Sequence, residues 1–398
     1  MSAVVVVGGG LGGWRTATEL RRLGHAGRLT VIGAEAHRPY DRPPLSKRVL
    51  AGVAEPHSAY LDDADSPASL DSDLRTGVRA TSVAPGIVET STGRLPWDTL
   101  VVATGGEPRR PAFVPRHPRV HVLRTLDDAV ALRADLLASA SLVVVGGGFI
   151  GMEVAAAARS LGLRVTLVEA QPTLAQAAVG VELGQVLADV HRDHGVDVRA
   201  GAPVTTMSTS DDRVEVVLGD GTTLVADLAV VGLGIVPATG VLGGLGLDLS
   251  DGVLCDREGR VAGLDGAWAV GDVARWADGL GGTLRREHWT TTADQASIVA
   301  HAVLGLDAPD HLRAPPYVWS DQHGLKVQQL GRPDLADAEG WLERNGSSGC
   351  YGYHRGEDLV AVATIGIPRL LAPYRRPVAE GLAALRGRTT AERAPAEV

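Results

Sequence analysis

The sequence predicts an α/β chain: two doubly wound parallel-sheet units, followed by a smaller α+β region. Three observations carry this. Residues 141–170, SLVVVGGGFIGMEVAAAARSLGLRVTLVEA, pass from a β-branched strand through Gly146, Gly148 and Gly151 into an Ala-rich helix, then into a second strand ending on Glu169. The same order stands at the start, where residues 3–7 lead into Gly8, Gly10 and Gly13, a helical pattern follows, and Leu29–Ile32 ends near Glu35. From about Ala314 the composition changes to short β-like segments and a polar tail.

Each glycine of G-x-G-x-x-G has a physical task. The first allows a tight turn, the second lets the backbone approach a pyrophosphate, and the third lets helix and strand pack closely. The helix N-terminus offers unpaired N–H groups and a partial positive charge to phosphates. The acid closing the next strand can accept hydrogen bonds from a ribose diol. Two such units point to two bound dinucleotides. The alternative, one empty duplicate, fits poorly with copies that both keep three glycines and an acid.

Composition narrows the function. At 398 residues the chain exceeds one ordinary core and implies two or three domains. It is 45% hydrophobic with only two Phe, so Val, Leu and Ala must fill the interior. A net charge of −9 argues against nucleic acid or an anionic membrane as main partner. The apolar stretch 225–249 is broken by Asp227, Pro237 and several glycines, so it is no membrane span. The first residues carry no basic n-region and enter a strand at once, so no signal peptide is expected and the cytoplasm is the default. Cys255 and Cys350, the only cysteines, exclude a C-x-x-C redox pair, a four-cysteine zinc site and a Cys-ligated iron–sulfur cluster, and no metal site is expected.

Taken in order, residues 37–47, HRPYDRPPLSK, are dense in Pro and charge and read as an ordered, non-helical loop at the carboxyl edge of the first unit. Residues 54–73 are acidic and rich in Ser and Pro. Residues 78–85, 86–90 and 95–102 read as short strands, ending in VVATGGEPRR; Pro108, Pro111, Pro115 and Pro118 then read as a linker. Residues 213–232, RVEVVLGDGTTLVADLAVVG, read as a hairpin about Asp220-Gly221. In VAGLDGAWAVGDVARW an apolar strand delivers Gly271 and Asp272 to a carboxyl end, where Asp272 also reads as a simple helix N-cap. Residues 286–304, REHWTTTADQASIVAHAVL, read as a helix entered through capping threonines. PPYVWSDQHGLKVQQLG opens the last region, with Trp319 either a core residue or a ligand contact, and the tail from Arg386 reads as mobile.

HRPYDRPPLSK behind a glycine unit, the ATGGEPR crossing, the VGDVA segment and YVWSDQHG fall in this order over residues 3–376. Together they resemble the FAD-dependent, NADH-using reductases that feed electrons to small [2Fe–2S] ferredoxins, the putidaredoxin and rubredoxin reductases and reductase components of ring dioxygenases among them. The resemblance implies a glutathione-reductase-like flavoprotein: a discontinuous FAD domain at 1–110 and 233–313, an NAD domain at 111–232, and a C-terminal α+β domain at 314–398. It implies FAD held by Gly8, Gly10, Leu11, Gly13, Glu35, Arg42, Pro44, Lys47 and Val78, by Ala103, Thr104, Gly105 and Arg124, and by Gly271, Asp272, Glu287, His288, Trp289 and Trp319. NAD falls to Gly146, Gly148, Phe149, Ile150, Gly151, Glu153, Glu169 and Gly234. Lys47 then lies against the flavin, with Glu153 facing both it and the nicotinamide, as a catalytic pair. An acid in a first helical turn also simply complements the dipole, and His288 also reads as an ordinary structural histidine.

The electrons must leave the protein, because HRPYDRPPLSK has no thiol and neither cysteine falls in these motifs. The resemblance implies a [2Fe–2S] ferredoxin that serves a haem monooxygenase or a ring dioxygenase. Two other readings share the fold: a reductase of a quinone, dye or oxygen, and an FAD/NADH redox-sensing binding protein. NADH and the ferredoxin are the expected partners of a monomer or homodimer. An acidic ferredoxin needs a local basic patch on so acidic a chain, for which Arg285-Arg286 and Arg375-Arg376 are the candidates.

Overall fold

A computed structural model describes residues 2–61 and 70–393. Two parallel five-stranded sheets of the same internal order form its centre. In the first, Val4–Val7 lies between Leu29–Ile32 and Thr99–Val102, with Asp73–Arg75 and Ala267–Ala269 outside them. In the second, Ser141–Val145 lies between Arg164–Val168 and Leu228–Val231, with Asp197–Arg199 and Val120–His121 outside. A parallel sheet is covered on both faces, and the central strands are accordingly runs of buried valine. Of the acidic stretch 54–73, Pro56–Ala59 forms a 3-10 turn and Asp73 opens the edge strand, while residues 62–69 lie outside the described residues.

Two stretches that read as continuous strands are divided. Residues 95–102 split at Trp97-Asp98: Gly93–Pro96 completes an antiparallel sheet with Ala80–Ala84 and Ile87–Thr90, and Thr99–Val102 joins the first parallel sheet. The hairpin is cut likewise. Val214–Leu218 and Thr223–Ala226 pair across the Asp220-Gly221 turn, but Leu228–Val231 leaves for the second parallel sheet. An aspartate sits at each cut. Asp98 accepts the Ala3 N–H at 2.7 Å, and Asp227 accepts the N–H groups of Ala140 and Ser141, both at 2.8 Å. Each carboxylate pins the start of the central strand to the start of its neighbour.

The linker prolines flank a narrow ribbon. Gly106–Pro108 pairs antiparallel with Ile235–Pro237, so the chain enters and leaves the second sheet side by side. The last region is an antiparallel five-stranded sheet from Tyr317–Gln322 to Asp358–Ile365, packed on the second unit. Tyr353, 1% exposed, donates to the Val179 carbonyl at 2.8 Å, and Trp341 donates to Glu182 at 2.7 Å.

Two helices differ from the sequence reading. Trp289–Val303 is capped by the backbone of His288, and Thr290–Thr292 lie inside its first turn without capping it; Thr290 instead donates to the Tyr317 carbonyl. The tail from Arg386 is helical as far as Arg393, within Arg375–Arg393. Leu382 and Leu385 pack that helix on the last sheet, and Arg388 ion-pairs with Asp358. Among the described residues no helix is long and apolar enough to cross a membrane.

Candidate active site

Between the two parallel sheets lies a cavity of about 1050 Å³, at the upper end of the roughly 300–1,000 Å³ of small-ligand sites. Both glycine turns open on it. Gly10 and Gly148 cap the N-termini of Leu11–Arg22 and Phe149–Ser160, and no atom lies within 4 Å of where a Cβ would stand on either. That leaves a cradle against free helical N–H groups, the geometry a pyrophosphate requires. A buried polar atom also lacks a partner: His288 lines the cavity, and its Nδ1 is buried without a hydrogen bond among the described residues. Burial first, and the Arg286 charge second, pull His288 down to about 4, so it is neutral near pH 7.

The expected residues fall into two groups. Gly8, Gly10, Leu11, Glu35, Arg42, Lys47, Val78, Ala103, Thr104, Gly105 and Arg124 line this cavity, as do Gly148, Phe149, Ile150, Gly151, Glu153 and Gly234. Gly271, Asp272, Glu287, His288, Trp289 and Trp319 close it. Gly13, Pro44, Gly146 and Glu169 do not line it. Gly13 and Gly151 press against the carbonyls of Gly8 and Gly146, where a Cβ has no room. Pro44 caps a five-residue π-helical turn, Leu45–Val49, and Pro43 meets the cavity in its place. The loop is thus not wholly non-helical: its end is this turn, which aims Lys47 inward. Glu169 accepts from Gly147 N–H at 2.6 Å and Gln171 N–H at 2.7 Å, beside the second glycine turn.

At the centre Lys47 Nζ stands 2.8 Å from Glu153 Oε2, with the two side chains 15% and 2% exposed. Ser46 and Ser320 each donate to this carboxylate, one to each oxygen. Behind Ser320 a hydrogen-bonded chain runs outward. Gln322 Nε2 donates to Ser320 Oγ at 3.0 Å, His191 Nε2 meets Gln322 Oε1 at 2.9 Å, and His323 Nε2 meets His191 Nδ1 at 3.1 Å. Burial holds His191 down to about 4 and His323, with His191 and His194 adding to the effect, to about 3. Both are therefore neutral near pH 7, and His191 can donate through Nε2 while accepting through Nδ1. Sequence reasoning missed Ser46, Ser320, Gln322, His191 and His323. The available signal was polar residues alternating within the strand YVWSDQ, where Ser320 and Gln322 share one face.

The far wall is aromatic and ionic. Trp289 and Trp319 meet edge to face at 6.0 Å, and Tyr317 stacks on Trp319 at 6.0 Å. Trp319 is therefore a cavity wall and not a packed core residue. Asp272 is held by Arg124 at 2.6 Å and sits in a 3-10 turn that leads to a strand, so it caps no α-helix. Arg42 bridges Glu35 at 2.9 Å and the Arg124 carbonyl. Arg285 and Arg286 do not form the expected exposed patch. Arg285 is 13% exposed and tied to Asp251 and Glu287, and Arg286 turns inward. Arg375 and Arg376 are exposed, the first over the Tyr317 ring and the second paired with Glu380.

Against known proteins, the family described as pyridine nucleotide-disulphide oxidoreductase matches residues 2–296, and a reductase C-terminal family matches 317–395. The chain is a pyridine nucleotide-disulphide oxidoreductase. It is 38% identical to the ferredoxin–NAD(+) reductase component of the p-cumate 2,3-dioxygenase system of Pseudomonas putida, covering 94% of this chain and 93% of that one. It is 34% identical to putidaredoxin reductase of Pseudomonas putida, over 92% and 89%. Among solved structures, the covalent putidaredoxin reductase–putidaredoxin complex aligns at a TM-score of 0.90, with 30% identity and 98% of each chain covered. Oxidoreductases of this family bind FAD and NAD(H), and the open cradles and unpartnered His288 Nδ1 suit such ligands. For a family named after disulphides, this cavity lacks a thiol among its described lining residues. Cys255 and Cys350 are buried elsewhere, and burial pushes their thiols up to about 12 and about 11.

Proposed function

We propose that this oxidoreductase takes electrons from NADH onto FAD and passes them singly to a [2Fe–2S] ferredoxin serving a haem monooxygenase or ring dioxygenase. The observation that carries the reading is the buried Lys47–Glu153 pair in a thiol-free cavity between two glycine turns. FAD, when bound, supplies acceptance of a hydride and its release as single electrons. The first unit, with Glu35, Arg42 and Arg124, holds FAD; the second, with Phe149, Ile150 and Glu169, holds NAD. Lys47 places an ammonium where negative charge accumulates on reduction, which favours the transition state over the ground state. Glu153, fixed by Ser46 and Ser320, keeps that ammonium in place. Trp289 and Trp319 exclude water from the reacting face.

The domain bounds 1–110 with 233–313, 111–232 and 314–398 belong to this proposal, supported by the return of Ala267–Ala269 to the first sheet and by the paired ribbon. So does the cytoplasm, supported by two unpaired cysteines. Of the expected docking residues only Arg375 and Arg376 are exposed, so the ferredoxin approaches the C-terminal side. The test is steady-state turnover with NADH. The protein is expected yellow, bleached by NADH without added thiol, and saturable in ferredoxin, with turnover weakening as salt rises. Protein that stays colourless after FAD reconstitution, or electrons reaching only quinones, dyes or oxygen, would reject the proposal.

A further inference from the structure

Away from the large cavity, five arginines from separate parts of the chain converge on a second one of about 130 Å³. Arg257 follows the strand Val253–Cys255, Arg286 precedes the helix Trp289–Val303, Arg313 ends a 3-10 turn, Arg332 follows Leu325–Gly331, and Arg386 lies on the last helix. In a chain of net charge −9 such a concentration of cations needs a reason. Internal acids answer only part of it. Arg332 is satisfied by Asp334 at 2.7 Å and Asp278 at 3.6 Å. The other lining carboxylate, Asp294, is pushed up to about 6 by its burial. Arg257 and Arg286 have no ion pair among the described residues. Burial first, then Arg332, holds the Arg286 guanidinium down to about 10, still charged near neutral pH.

A second observation is independent of charge. Thr291 lines the same cavity, and its Oγ1 is fully buried with no hydrogen-bond partner among the described residues. A buried hydroxyl left unpaired is unfavourable by about 1–3 kcal/mol. One bound group that accepts from a hydroxyl and from several planar guanidinium forks answers both observations. We propose that this cavity is a binding site for a small phosphate-type oxyanion. The volume is about four times the roughly 30 Å³ that a water molecule occupies, enough for such an anion. The burial of Arg332, 7% exposed, and of the Thr291 hydroxyl favours a free anion over a carboxylate carried on a partner's surface. The site joins the last helix to the first turn of Trp289–Val303, whose Trp289 lines the large cavity.

The test is a titration with inorganic phosphate, by calorimetry and phosphorus NMR. It uses the FAD-loaded, NAD-saturated protein in chloride at matched ionic strength, so that the dinucleotide sites do not contribute. One saturable site is expected. Arg286→Leu and Arg257→Gln should each weaken it at least about tenfold, and Asp294→Asn should strengthen it. Arg257 is exposed and its side chain makes no hydrogen bond among the described residues, so Arg257→Gln keeps the test decisive if Arg286→Leu fails to fold. Absence of saturable binding, or binding unchanged in both arginine variants, overturns the proposal. So does a rise in ferredoxin KM in Arg257→Gln without any phosphate binding, which would make the cavity a docking socket. The phosphate titrations do not depend on which acceptor takes the electrons.

Discussion

At the first glycine turn, a Cβ on Gly8 would fall 2.1 Å from the Ala103 carbonyl oxygen; at the second, one on Gly146 would fall 2.3 Å from that of Gly232. Both glycines have positive φ, +123° and +110°. The backbones are near copies, yet the acids that follow are used differently. Glu35 is held by side chains, with Arg42 at 2.9 Å and the Tyr40 hydroxyl at 2.5 Å, both from the HRPYDRPPLSK loop. Among the described residues Glu169 is held by main-chain N–H groups alone, and Ile150, in the first turn of the second unit's helix, is 45% exposed. The turn is a backbone device that tolerates copying; what surrounds it decides whether a ligand is enclosed or free to exchange. A walled first site suits a cofactor that stays through turnover, and an open second site suits one that leaves each cycle.

The sharpest way to break this comparison is to fill each turn in turn. Gly8→Ala should yield protein that retains no FAD, while Gly146→Ala should stay yellow and lose NADH. Overlap with a carbonyl at a strained φ should weaken each ligand by about 3 kcal/mol, roughly a hundredfold. Flavin absorbance after gel filtration and NADH titration read the two losses separately; equal flavin loss in both variants would show that the turns are not specialised.

Lys47→Met acts between the units and should slow flavin reduction about tenfold while changing NADH affinity less. It also strips Glu153 of its cation, so thermal stability should drop, by about 3 kcal/mol for a buried pair cut on one side. Rapid mixing separates binding from reduction, and an unchanged reduction rate would return Lys47 to a structural role. Next in size, Glu169→Ala should erase a preference for NADH over NADPH, itself about ten- to hundredfold because the carboxylate repels a 2′-phosphate. Glu35→Ala should leave the kcat/KM ratio of the two nucleotides untouched.

The smallest effect concerns acid. His191 and His323 stand behind the second unit, and both are held below their usual value. The unfolded chain takes up their protons near pH 6.5 and the folded chain only near about 4 for His191 and about 3 for His323, so stability falls as pH drops through that window. For His191 the loss at pH 5.5 is about 1.4 kcal/mol. Hydrogen exchange should therefore quicken in Gln176–Asp193 before Leu11–Arg22 as pH falls from 7 to 5.5. Parallel loss in both helices would deny the histidines this local role.

Where pattern and packing coincide, the sequence was a good guide. The glycine spacings and valine runs locate both parallel sheets, because a strand buried on both faces has little choice of residue. Lys47 and Glu153, far apart in sequence, were brought together only through the family resemblance. What stayed hidden depends on tertiary partners. Nothing local distinguishes Asp98 and Asp227 from ordinary turn residues until Ala3 and Ser141 come beside them. Arg286 follows Arg285 as if exposed, and nothing local shows that it turns inward, into a cavity it shares with Arg257, Arg332 and Arg386. Ser320 looks like any strand serine until Glu153 is placed against it.

The ribbon of Gly106–Pro108 and Ile235–Pro237 bears on how such a protein arises. Ala238 N–H bonds to the Gly105 carbonyl at 2.9 Å, and Thr104 Oγ1 donates to the Ala238 carbonyl at 2.8 Å, so the two crossing strands are tied at their base. A segment whose ends already touch can be spliced into a host loop without prying the host apart. Duplication of a glycine-turn module followed by insertion at residues 106–108 would disturb no strand of the recipient sheet. Heredity can thus enlarge an enzyme by copying a folded piece and pasting it in at a doorway one ribbon wide.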